Sequence, residues 1–163
     1  MIADAAGKVL DRENLKNKVD CLHLEGKAVV FTNGCFDLIH IGHVRLLQKA
    51  RKKGDCLVVA VNSDGSVRQI KGPHRPVMPE GQRAEIVAAL ACVDWVTIFD
   101  EPDPLELIKL LKPHVLVKGG DWPEEEIVGA SEVKKAGGQV LRIPLEIGVS
   151  TSDILEKVRH TSE

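Results

Sequence analysis

The sequence predicts an α/β domain: a Rossmann-like parallel sheet with helices on both faces. Three observations carry that prediction. Short apolar, β-branched runs alternate with amphipathic stretches along the whole chain. Polar and glycine-bearing segments fall at the carboxyl ends of those runs, where open α/β sheets hold their ligands. The 163 residues, 44% of them hydrophobic, suffice for one sizeable core. Residues 1–163 are therefore read as a single domain, with 1–26 as a helical lead-in.

In chain order, Asp11 can cap a first helix that carries Leu15, Val19 and Leu22 on one face and ends near Gly26. Residues 28–32 form a buried strand, after which Val44, Leu46, Leu47 and Ala50 repeat at helical spacing until Gly54. A second strand spans 56–61, and the polar segment from Asn62 to Pro79 is expected to be a mobile flap. A helix over 80–91, a strand over 95–99, a helix over 104–111 with proline at its start and a strand over 115–117 follow. A short helix over 131–136, a strand over 140–143 and a last helix over about 150–159 complete the alternation. Function should sit at 33–43, 62–75, 118–122 and 145–152.

Composition narrows the partners. A net charge of −2, a pI near 6.3 and 3% aromatic residues leave little for gripping or stacking on nucleic acid. No apolar run approaches the ~20 residues of a membrane span, and Met1-Ile2-Ala3-Asp4 lacks the basic start and apolar core of a signal peptide. The expectation is a cytoplasmic protein with no nucleic-acid or membrane partner. Cys21, Cys35, Cys56 and Cys92 are dispersed, without zinc or redox-pair spacing, and are read as reduced thiols.

The stretch from Thr32 to His43 places a strand, a short polar loop and a helix start in succession. Free N–H groups and the positive end of the helix dipole favour an anion there, and His40 and His43 add donors. Gly34 and Gly42 allow close backbone approach. A zinc site finds no third ligand at matching spacing. Lys71, Arg75 and Arg83 follow the second strand as cations that can clamp phosphates; alone they could equally be solvated surface charge. Lys118-Gly119-Gly120-Asp121-Trp122 follows a strand and can contact a ligand, Asp121 accepting from sugar hydroxyls and Trp122 stacking or else plugging the core. Ser150-Thr151-Ser152 opens another helix, where phosphate binding and simple capping with Asp153 fit equally. Cys35 has no residue to activate it as a nucleophile. Neither a P-loop nor a G-x-G-x-x-G fingerprint is present.

His40-Ile41-Gly42-His43, preceded by Gly34-Cys35-Phe36-Asp37, resembles the HxGH signature of the nucleotidyltransferase superfamily. Segments 31–37, 61–64, 70–73, 115–121 and 127–130 are similar to the adenylyltransferase part of the ADP-heptose synthases, and the likeness runs from about Leu10 to Arg159. The resemblance implies transfer of AMP from ATP, with Mg²⁺, to D-glycero-β-D-manno-heptose 1-phosphate for surface glycan assembly. It implies catalytic roles for His40, His43 and Lys71. Nucleotide contacts would come from Asn33, Gly34, Cys35, Phe36, Gly42, Arg75, Arg83, Lys118, Gly120, Ser150, Thr151 and Ser152. Asp37, Asp121 and Trp122 would serve the metal–nucleotide or the sugar, and no protein metal site is implied.

Bifunctional members carry a sugar kinase for which this chain has no room, so a standalone form, a separate heptose kinase and a homodimer are expected. Glycerol-3-phosphate cytidylyltransferases usually have arginine where Leu145 follows Pro144. Asp153 also departs from the usual neutral or basic residue after the Ser-Thr-Ser run. The competing functions are a cytidylyltransferase for a polyol phosphate or phosphonate, and a nucleotide-binding regulator without catalysis.

Overall fold

The computed structural model describes residues 4–120, 122–144 and 150–161. A single sheet of five parallel strands runs in the order β3-β2-β1-β4-β5, with β1 at Val29–Gly34, β2 at Cys56–Asn62, β3 at Trp95–Phe99, β4 at Val115–Gly119 and β5 at Gln139–Ile143. Central strands must be apolar on both faces, and β1 and β2 read so: Val29, Val30, Phe31 and all of β2 are buried.

Alternate side chains divide the core into two layers. Val29, Phe31, Val58, Ala60 and Leu116 pack under α1 (Arg12–Leu24), α5 (Leu105–Leu111) and α6 (Ala130–Lys135). Val30, Leu57, Val59, Val61, Val115 and Val117 pack under α2 (Ile41–Arg51) and α4 (Glu80–Ala88). Asp11 caps α1 as its position suggests, its carboxylate accepting from Asn14 N at 2.7 Å. Strand order reverses beside β1, so the crevice outside the ends of β1 and β4 is the place where this topology admits a ligand.

Two expectations are corrected. Residues 62–79 are not one flap, because Asp64–Lys71 is a helix, α3. Ser63 caps it by accepting from Ser66 N, and buried Val67 fixes it to the sheet, although Gly65 and the scarcity of apolar positions hide it in the sequence. The helix expected over 80–91 ends at Ala88, with Ala89 as its cap. The last helix, α7, spans Thr151–His160. Among the described residues no helix is long and apolar enough to cross a membrane.

Candidate active site

The turn after β1 is built around the ring of Phe36. Phe36 adopts φ +47° and is buried, a left-handed conformation that costs about 1–2 kcal/mol and persists here because the ring is packed into the core. A Cβ on Gly34 would stand 3.1 Å from that ring, close enough that the ring would have to shift. The ring in turn lies 5.2 Å from His43.

His40 is the N-cap of α2, its Nδ1 accepting from Gly42 N at 3.2 Å, and His43 Nδ1 accepts from His40 N at 3.4 Å in a capping box. An imidazole nitrogen that accepts carries no proton, so both neutral rings hold theirs on Nε2 and offer that N–H. The rings stack at 3.8 Å. Burial, then the neighbouring His40, pushes His43 down to about 4 from its ordinary 6.5; burial also lowers His40, against the pull of Asp153. The pair is therefore neutral near pH 7 and presents two N–H donors.

The loop opposite is tied down by two buried charges. Asp37 accepts from Arg75 Nε at 2.6 Å and from the backbone N–H groups of Val77 and Met78 at 2.8 and 3.1 Å. Arg83, fully buried, donates to Met78 O at 2.9 Å, Cys35 O at 2.5 Å and Asp64 Oδ1 at 2.8 Å. Expected as a ligand contact, Arg83 lines no cleft; it positions the loops that do. Asp37 lines the cleft with both oxygens already engaged.

Two clefts result. The first, of about 350 Å³, is lined by Cys35, Phe36, Asp37, His40, Gly42, His43, Lys71, Arg75 and the start of α7. There Ser150 Oγ caps by accepting from Asp153 N at 3.1 Å, and the Thr151 hydroxyl donates to Leu38 O at 3.3 Å, holding Ser150, Thr151 and Ser152 against the histidines. The second, of about 410 Å³, lies at the switch point and holds Asn33, Gly34, Asn62, Lys118 and Trp122. Cys35 and Lys71 line both clefts. Burial raises the Cys35 thiol despite Lys71, Arg83 and Arg75, which leaves it a poor nucleophile. Burial lowers Lys118.

Asn33, Gly34 and Lys118, expected as nucleotide contacts, thus line one cleft with Trp122, which is half exposed and does not plug the core. Gly120, at φ +102°, donates its N–H to Ile143 O at 2.9 Å and lines neither cleft. Asp121 and Leu145 lie outside the described residues. Asp103 and Glu126 also line the second cleft. Asp103 follows the end of β3, and the strand-end rule applied there finds it; nothing in the sequence marks Glu126. Among the described residues no group of three or more His, Cys, Asp or Glu is placed to hold a metal ion.

The family model described as "Cytidylyltransferase-like" matches residues 31–157. A "Bifunctional protein HldE" from Syntrophotalea carbinolica is 52% identical over 151 residues, covering 93% of this chain and 31% of its own length. The chain spans about a third of the length of the curated relatives it matches. Among solved structures, the lipopolysaccharide core biosynthesis protein from Thermoplasma volcanium GSS1 is 30% identical at a TM-score of 0.61, with 74% of this chain and 98% of that one covered. Pantoate-beta-alanine ligase from Francisella tularensis is 15% identical at a TM-score of 0.62, covering 95% and 78%, and shows the same fold.

Proposed function

The chain belongs to the cytidylyltransferase-like family of nucleotidyl-transferring enzymes, and we propose that its own reaction moves AMP from ATP to D-glycero-β-D-manno-heptose 1-phosphate. The relatives named HldE and the lipopolysaccharide core biosynthesis protein support this substrate class. The observation that carries the site is the shared wall: Lys71 and Cys35 line both clefts, so a donor held in one and an acceptor held in the other would meet there.

The first cleft suits the triphosphate. It combines the N-terminus of the eleven-residue α2, two Nε2–H donors, Lys71, Arg75 and the start of α7, and its carboxylate, Asp37, is already neutralised by Arg75 and backbone N–H groups. The acceptor's phosphate oxygen attacks the α-phosphorus in line as the bond to the β-phosphate oxygen breaks, and pyrophosphate leaves with the electron pair. A sugar phosphate is already ionised at neutral pH, so no general base is required. His40 and His43 donate to phosphate oxygens as charge shifts toward the bridging oxygen, and Lys71 and Arg75 hold the departing pyrophosphate. Mg²⁺ would enter with ATP and offset the charge of the phosphates. A sugar kinase reaction supplies the heptose 1-phosphate, and the working form is a homodimer in the cytoplasm.

Pyrophosphate release measured with ATP, CTP, GTP or UTP, Mg²⁺, and either heptose 1-phosphate or glycerol 3-phosphate tests the proposal. Release with ATP and the heptose alone is expected. Preference for CTP would move the enzyme to another acceptor pathway, and binding of ATP without release from any pair would make it a regulator.

A further inference from the structure

The second cleft has a charge gradient that the transfer chemistry does not explain. Lys71 lines both clefts together with Cys35, and Lys118 lines the second. Asp103 and Glu126 belong to the second cleft alone. Asp103 uses Oδ1 to accept from Leu105 N at 2.9 Å, leaving Oδ2 without a hydrogen bond among the described residues. The exposed Glu126 carboxylate has no hydrogen bond or ion pair among the described residues. Half-exposed Trp122 supplies an apolar face in the same cleft.

A polyphosphate would be repelled by two carboxylates. A molecule with one anionic end and a body of hydroxyl groups matches the gradient: its phosphate lies by the lysines, its O–H groups donate to carboxylates and its C–H face covers an indole. We propose that Asp103 and Glu126 determine acceptor specificity by accepting hydrogen bonds from the hydroxyl groups of the sugar phosphate. The proposal rests on the adenylyltransfer described above. It makes the length of the polyol body, which glycerol 3-phosphate lacks, the property that these residues read.

Steady-state kinetics of the full chain test it, with ATP and either heptose 1-phosphate or glycerol 3-phosphate, for the native protein, Asp103→Asn, Glu126→Gln and, as a control outside the cleft, Glu125→Gln. Asparagine keeps an acceptor for Leu105 N, so Asp103→Asn retains the turn while losing the charge. Each cleft variant should raise KM for heptose 1-phosphate roughly tenfold, the loss expected for a charge-assisted hydrogen bond, and move KM for ATP less than twofold. Glycerol 3-phosphate should remain without turnover in every variant, and Glu125→Gln should change neither KM. An active native enzyme whose cleft variants keep the native KM for the heptose would overturn the specificity role alone. A native enzyme inactive with ATP and the heptose would overturn the transfer reading, and the role with it.

Discussion

The two clefts hold their charged groups in opposite ways. In the histidine cleft both oxygens of Asp37 and both imidazole Nδ1 atoms have protein partners, and the buried Arg83 behind it has a partner for every nitrogen, so the imidazole donors are fixed in direction. In the second cleft Lys118, Trp122 and Glu126 make no side-chain hydrogen bond among the described residues. The difference follows from the work each would do. Stabilising charge that develops during reaction favours dipoles that need not reorganise, whereas recognising a ground-state ligand favours groups left free to bond it.

The comparison breaks most easily at Arg83. Arg83→Met removes bonds to Cys35 O, Met78 O and Asp64 and should cost about 3–5 kcal/mol, read by urea unfolding, because the opposed carboxylate and carbonyls lose their buried partner. Next in size, His43→Ala should lower kcat by about 10²–10³ with the fold intact by circular dichroism; near-normal turnover would take the pair out of the chemistry. Lys71→Met should weaken both substrates, since Lys71 lines both clefts, by roughly tenfold in each KM. An effect on one substrate alone would mean that the clefts work independently.

A further effect is that of pH. His43 stands at about 4 in the folded chain against an ordinary 6.5, so between those values the unfolded chain binds the proton first. Its contribution to stability is complete above pH 6.5 and is lost as pH falls toward 4. An imidazole NMR titration should find His43 neutral down to about pH 5 in the free protein, and added triphosphate should raise its midpoint by placing negative charge beside it.

Much of this was legible in the residues. The strands stood out because buried parallel strands are apolar on both faces, as Cys56–Asn62 shows, and Asp11 announced α1 as its cap. The HxGH run and the loop before it pointed to the histidine cleft. What stayed hidden depends on distance along the chain. Arg83 reaches the Cys35 carbonyl 48 positions away, and Asp37 meets Arg75 across 38, so in the sequence the first reads as a phosphate clamp and the second as a contact for the metal–nucleotide or the sugar. Helix α3 was masked by Gly65 and by a polar composition in which Val67 alone among its apolar residues is buried. Neither Asp103 nor Glu126 stands out in the sequence; the fold puts them in one cleft with Lys118 and Trp122.

The division of labour between the clefts is tested most directly by NMR, following the imidazole signals of His40 and His43 and the indole N–H of Trp122, assigned with Trp122→Phe. Titration with a non-hydrolysable ATP analogue should move the histidines and leave the indole; heptose 1-phosphate added to the saturated complex should then move the indole. Displacement of the indole by the nucleotide and of the histidines by the sugar phosphate would contradict it.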